Sequence, residues 1–231
     1  MTNLTLPFPK LLWARIAGGA LLVICLSGLL GNNLAVGDVA GTARNILAHD
    51  REFRIGIWGE LLMLNADIVL AVAFFALLKP VNPPLALLGT LWRFANAVLL
   101  GSGVVASLVA LDILGASPQG TKLGETQLWT SAHQFLDIHG TAMEVGLIFF
   151  GLGACVHACL LWRARYIPRA LSGAYVAVAL LIAVSFSSAI VFPVLDAVID
   201  PWSIIPDFIV ELAVALWLLI RGVDPSGPLE A

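Results

Sequence analysis

Charge is what this sequence most lacks. Only 12% of its 231 residues are Asp, Glu, Lys or Arg, while 60% are hydrophobic. A soluble domain carries about 25% charged residues, so half of the usual solvated surface is missing. Mean hydropathy is +0.96. These values exclude a disordered chain and argue against a water-soluble globular domain. Clustered Lys and Arg are absent as well, which excludes nucleic acid as a partner. The net charge of −3 is too small to point to a partner. Cysteine is scarce: Cys25, Cys155 and Cys159 lie inside apolar runs without C-x-x-C spacing, and read as small buried hydrophobes. Nowhere do apolar and polar residues alternate over about 10 positions, as the strands of a membrane barrel do. There is no internal repeat and no separate soluble domain.

What the chain does have is long apolar runs. A helix crossing a bilayer needs about 20 mostly apolar residues. Six stretches qualify, at roughly 11–30, 57–78, 85–113, 138–162, 171–192 and 204–220. Their Ala, Leu, Val and Gly content suits packed membrane helices. The expected fold is all-α: a polytopic membrane helix bundle of six transmembrane helices, forming a single integral membrane domain over 1–231. The first run resembles a signal peptide, with Lys10 and Arg15 ahead of it and small residues near Ala35 and Gly37. It is long for such a segment, and it is expected to remain as a span.

Loop charges indicate an orientation. Lys10, Arg15, Lys79, Arg163, Arg165, Arg169 and Arg221 flank the ends that share the N-terminal side, and Arg44, Arg51, Arg54 and Lys122 the other. That is seven against four, with Arg93 inside a span. Positive charge marks the cytoplasmic side, so both termini are expected in the cytoplasm, with the chain multi-pass in a bacterial inner membrane. Trp13, Trp162 and Trp217 fall near inner boundaries and Trp58, Trp129 and Trp202 near outer ones, as an aromatic belt would, while Trp92 sits deeper. Two outer loops are long. In the first, 32–54, Ile46, Leu47 and Phe53 would form the apolar face of a short amphipathic helix on the outer surface, with Arg44, Asp50 and Arg51 outward. The second, 115–132, opens with the turn-prone GASPQG and is expected to run on into the fourth span.

Ionisable groups within spans cost roughly 2.5–3.5 kcal/mol each on insertion scales, so they carry the most information. Counting about 1.5 Å per residue places Asp67, Arg93, Asn96 and Glu211 near mid-membrane. Asp67 and Arg93 lie at equal depth on a hairpin through Pro80–Pro84, and an ion pair between them follows. Glu211 is then a second carboxylate, either sharing that Arg or holding a proton. Asp207 lies one turn outward on the same face. Glu60 lies two turns outward of Asp67, also on its face. On the fourth span His133, Asp137, Thr141 and Glu144 share one stripe. His139 belongs to another, through Gly146, Gly153 and His157, whose glycines imply close contact with a neighbouring helix.

Three chemistries could use groups of this kind. Two b-type haems need four intramembrane histidines on facing helices. Only His139 and His157 lie on spans, about 27 Å apart on one helix, so no haem or other cofactor is expected. A metal near His139, with Glu60, Asp207 or Glu211, lacks any local motif such as H-E-x-x-H. A hydrogen-bonded core histidine is the plainer reading, and no metal is assigned. The serines Ser102, Ser107, Ser185, Ser187 and Ser188 lie in no G-x-S-x-G context, so no nucleophile is assigned.

With these residues in view, the chain resembles a bacterial membrane family known as domain of unknown function four-three-eight-six. The resemblance covers most of the chain. It rests on ARIAGGALLVICLSGL, NILAHDREFRIGI, LLMLNADIVLAVAFFALLKPVNPPLALL, WRFANAVLLG, IHGTAMEVGLIFFGLG, YIPRALSG and IVELAVALWLLIRGV. FFG followed by the Glu-Leu-x-x-Ala-Leu-Trp run is its more specific part. The resemblance implies functional groups at Asp67, Arg93, His139 and Glu211, and an acid at Glu60. The chain departs from the pattern at Gly153, where the family is expected to carry His, and at Glu144 and Asp207, which look particular to it. The missing His weakens any histidine-based metal or redox reading. The family implies a helical integral membrane protein and leaves its chemistry open.

Three functions remain in contention. In the first, Glu60, Asp67, Arg93, Asn96, His139, Asp207 and Glu211 line an outward-facing cavity that binds or transports a small polar or lipid-like molecule. In the second, the chain is a structural or accessory subunit whose buried charges order the bundle, within a homo-oligomer or a larger complex. In the third, it is a metal-dependent membrane hydrolase. The sequence leans away from an enzyme, and its one certain partner is the lipid bilayer. The first reading further expects one continuous polar path from the outer surface to Glu211.

Overall fold

The computed structural model describes residues 10–30, 38–116, 124–192 and 196–223, with the side chains of 196–201 left aside. Ala35, Gly37 and Lys122, the first part of the first long loop and most of GASPQG lie outside the described residues.

Seven α-helices and no strands occur among the described residues: α1 (Lys10–Gly28), α2 (Val39–Ala48), α3 (Asp50–Leu78), α4 (Pro83–Gly115), α5 (Glu125–Ala164), α6 (Arg169–Val191) and α7 (Asp196–Ile220). All but α2 are long and apolar enough to cross a membrane. The expected fold class holds, and the fourth span does begin within the second long loop. Several helices start earlier than the apolar runs, because hydropathy marks the crossing and not the helix. Helix α3 begins with Asp50 and Glu52, acids that favour a helix N-terminus. Helix α5 begins at Glu125, where the Gln127 side chain accepts a hydrogen bond from the Gly124 N–H at 3.2 Å. Local caps set other starts. Asp38 accepts from the Gly41 N–H at 2.7 Å ahead of α2. Asn82 accepts from the Leu85 N–H at 3.1 Å ahead of α4, whose first residue is Pro83.

Helix α2 is the short amphipathic helix between the first two spans. It buries Thr42, Ala43 and Ile46 and packs on α3, α4 and α5. Its expected apolar face needs correcting at two places. Leu47 is exposed, and Phe53, although buried, belongs to α3. Only His49 separates the two helices, so the chain turns a corner there and Phe53 follows the α3 face inward.

The six long helices form a closed ring. Each packs on the next in the order α1, α3, α4, α5, α6, α7, and α7 packs on α1. The start of α1 and the end of α7 lie together: Gly222, at φ +72°, leaves no room for a side chain against Leu11. This end of the bundle is termed proximal here and the opposite end distal. At the distal end, Gly59 of α3 brings the helix backbone against Ser27 and Leu30, and a β-carbon there would lie 3.2 Å from the Ser27 carbonyl oxygen.

The proximal half is filled by a large apolar core that includes Leu21, Leu70, Phe74, Leu77, Leu160 and Leu218. A separate distal core includes Ile46, Phe53, Ile57, Val104 and Leu111. Outward residues such as Val72, Val98, Val105 and Val184 are exposed hydrophobics suited to lipid. Trp58, Trp162 and Trp202 are exposed too. Asp67 and Arg93 lie between the two cores: Asp67 falls between Leu64 and Leu70 on α3, and Arg93 between Ala86 and Ala97 on α4.

Candidate functional site

The site begins at the α4–α5 seam, where glycines of one helix receive polar side chains of the other. A β-carbon at Gly89 would lie 2.8 Å from His157 Nε2, and one at Gly153 would lie 3.1 Å from Arg93 Cγ. One at Gly146 would lie 3.0 Å from Asn96 Oδ1, and one at Gly103 would lie 3.1 Å from His139 Nδ1. Small residues allow backbones to approach in membranes; here they also make room for bulky polar groups. The stripe Gly146–Gly153 thus does meet a neighbouring helix. At Gly153 the Arg93 stem occupies the space that a side chain would need.

Arg93 is fully buried and stands at the centre of a network contributed by four helices. Its Nη1 donates to Asp67 Oδ1 at 2.5 Å. Its Nη2 donates to Glu211 Oε1 at 3.1 Å and to the Tyr175 hydroxyl at 3.2 Å. Tyr175 donates in turn to Glu211 Oε1 at 3.0 Å, and Asn96 Nδ2 donates to Asp67 Oδ2 at 3.0 Å. Phe150 of α5 presents its ring 4.4 Å from the guanidinium carbon. The Asp67–Arg93 pair expected from depth is present, and Glu211 shares the same guanidinium. The sequence reading missed Tyr175 and Phe150. Tyr175 is one of only two tyrosines, but it lies early in an apolar span, where nothing in the sequence marks it out for the site.

Asp207 lies one turn from Glu211 and is 7% exposed. Among the described residues, its Oδ1 is buried without a hydrogen-bond partner. Both acids face a cavity of about 430 Å³ that residues of all six ring helices line. Asp67 and Asn96 complete its polar part; the walls include Ile24, Met63, Leu100, Met143, Phe150 and Phe208. Arg93 does not line it. Leu29, Met143 and Ile205 are lining residues that are also exposed, which puts the mouth on the distal side.

Glu60 and His139 meet elsewhere. His139 Nε2 lies 3.6 Å from Glu60 Oε1, and both side chains are nearly a quarter exposed. The void beside them is only about 10 Å³, and Met63, Leu100 and Met143 stand between it and the large cavity. The continuous polar path expected from the sequence is therefore broken into two islands by three apolar side chains. His157 is remote from both, enclosed against Phe74 at 5.0 Å between ring centroids. Among the described residues, no three His, Cys, Asp or Glu side chains are placed to share a metal ion.

Chemically, the centre is an ionic lock with an open flank. Arg93 offsets Asp67 and Glu211 from behind, and the cavity meets the carboxyl groups from the front. Such a flank can take up a proton or a polar group from a molecule in the membrane, while the lock fixes the helices around it.

No curated protein and no solved structure matches the chain. A family model described as "Domain of unknown function (DUF4386)" matches residues 16–222, a segment that holds the whole Arg93 network, both cavity acids and the Glu60–His139 pair, and the chain belongs to that family.

Proposed function

We propose that the interior of the ring binds a small amphiphilic molecule from within the membrane. One observation carries this reading. The cavity of about 430 Å³ has apolar walls and ends on Asp207, a buried acid with an unpartnered oxygen. A purely structural ion pair closes on itself, as Asp67 and Arg93 do. Asp207 is left out of that closure and faces open space instead. The volume is that of a small-ligand site, mostly apolar with few polar groups. The molecule's polar end would lie at Asp207 and Glu211 and its tail along Ile24, Met143 and Phe208. Transport would need Met63, Leu100 and Met143 to move, and Met side chains repack readily.

Binding is tested on the full chain in phosphatidylcholine nanodiscs, with eight-carbon amphiphiles as probes: octylamine, octanol and octanoate. Thermal unfolding of the protein is compared with that of Ile205→Trp, which fills the mouth. At least one probe is expected to stabilise the protein, by about 2.7 kcal/mol at 100 times its Kd, and to lose that effect in Ile205→Trp. No difference between the two proteins with any probe sinks the reading.

The second reading, a structural subunit, draws on the closed Arg93 network itself. The hydrolase reading draws nothing from the geometry, because His139 pairs with Glu60 and stands across three apolar side chains from Asp207 and Glu211.

The same proposal places the proximal end in the cytoplasm of a bacterial inner membrane. Arg165, Arg169 and Arg221 gather around a surface hollow of about 470 Å³ at that end, in keeping with the positive-inside rule. In a chain with its native cysteines replaced, Thr126→Cys should react with a membrane-impermeant reagent from the periplasm, and Ala170→Cys should not. The reverse pattern inverts the orientation.

A further inference from the structure

We infer that the amphiphile bound in the ring carries a single positive charge at its head, an organic ammonium group; this rests on the cavity-binding reading above. Among the described residues lining the cavity are three carboxyl groups, Asp67, Asp207 and Glu211, and no Lys, Arg or His. Among the described residues the guanidinium nearby is that of Arg93, which is fully buried behind them and already bonded to Asp67 and Glu211. His139, the nearest histidine on the distal side, is paired with Glu60 beyond Met63, Leu100 and Met143. Among the described residues, no positive group therefore reaches Asp207 from the cavity side.

Three carboxyl groups share one guanidinium, so two are left uncompensated; a proton on one and an ammonium beside the other remove the cost of bare charge at this depth. Asp207 and Glu211 stand one helical turn apart on α7, close enough for one ammonium to donate to both. The unpartnered Asp207 Oδ1 supplies a ready acceptor. Phe208, next to Asp207 in the chain, and Met63 are among the walls and offer aromatic and polarisable surface, which suits an ammonium and its first methylenes. An anionic head would meet three acids. A neutral hydroxyl would satisfy the acceptor and leave the charge. A tail running to the mouth at Leu29 and Ile205 meets apolar walls throughout.

The three-probe panel separates the outcomes. Octylamine should bind at least about tenfold more tightly than octanol, as expected when a neutral hydrogen bond becomes a charged one. Octanoate should bind more weakly than either. Asp207→Asn keeps the shape of the side chain and removes its charge. It should bring octylamine down to the level of octanol and leave octanol binding within about twofold. If all three probes bind equally, or octanol binds best, the ammonium assignment is overturned while the cavity reading stands. If none binds, both fall. Should Asp207→Asn fail to fold, the ranking in the unaltered protein decides alone.

Discussion

The Arg93 network and the Glu60–His139 pair are both made of acids and bases facing each other across the same bundle, yet they are built to different tolerances. In the first, side chains no more than 4% exposed meet at 2.5 and 3.1 Å, and Tyr175 and Asn96 take up further hydrogen-bonding capacity. In the second, side chains 23% and 24% exposed stand 3.6 Å apart, and His139 Nδ1 has no partner. The two lie about two helical turns apart along α3, which holds both Asp67 and Glu60. The central network is not fully closed, since Arg93 Nε and Asn96 Oδ1 have no partner among the described residues, but its charged contacts are the shorter and the more enclosed. A charge at the centre of the ring has only the protein to solvate it. Toward the distal end water can do part of that work, and loose geometry costs little.

The sharpest way to break this comparison is Arg93→Ala. It leaves Asp67 and Glu211 without their cation and should destabilise the bundle by about 3–5 kcal/mol. Adding Asp67→Ala should cost less than the two single changes summed, because the second removes a charge that the first has stranded. Simple additivity in a double-mutant cycle, read by chemical or thermal unfolding in detergent, would show that the two do not act as a pair.

Gly153→Ala tests the seam that holds Arg93 in place. Its β-carbon would lie 3.0 Å from the Gly89 carbonyl oxygen and 3.1 Å from Arg93 Cγ, so α4 and α5 must part or Arg93 must shift. A cost of about 1–3 kcal/mol is expected. Gly101→Ala is the control toward the distal side. There the new carbon would meet only Leu64 Cδ1 at 3.8 Å, an ordinary contact. It should be neutral or stabilising by up to about 1 kcal/mol, since Ala is the better helix former. Equal costs at the two sites would mean that close approach at the seam does not matter.

A smaller effect is expected of Tyr175→Phe. The ring and its packing stay, and Glu211 Oε1 keeps Arg93 as a donor. Losing the hydroxyl should cost about 0.5–1.5 kcal/mol by equilibrium unfolding. A cost matching that of Arg93→Ala would make Tyr175, and not the guanidinium, the centre of the network.

Much of this architecture was legible in the sequence for physical reasons. The bilayer sets a minimum length for apolar runs, which located every span. Depth counting on two helices joined by a short turn is nearly one-dimensional, and that brought Asp67 to Arg93. Glu211 was legible because lipid cannot solvate it. The glycine stripe on α5 was readable because helical spacing assigns Gly146 and Gly153 to one face. Tyr175 and Phe150 were not legible, because an aromatic residue in a span carries no insertion cost that demands a partner. Nor was the closure of α1 on α7, which joins helices far apart in the chain. The interrupted path escaped for a related reason: Met63, Leu100 and Met143 come from three helices, and only packing reveals that they meet.

The gentlest test lies at the distal pair. Glu60→Gln removes one charge from a contact that is already long and partly wet. Both side chains are nearly a quarter exposed, so His139 loses a neighbour without being sealed in. Neither side chain must give up a tight hydrogen bond, since at 3.6 Å the geometry is that of a loose ion pair. The expected cost is roughly 0.2–1 kcal/mol, the range of exposed pairs, and it should shrink further as salt is raised. Unfolding midpoints of Glu60→Gln and Arg93→Ala measured in the same detergent give the ratio directly. A ratio near one would mean that Glu60 and His139 are as fully cut off from water as Arg93, and the contrast between the two islands would then have to be abandoned.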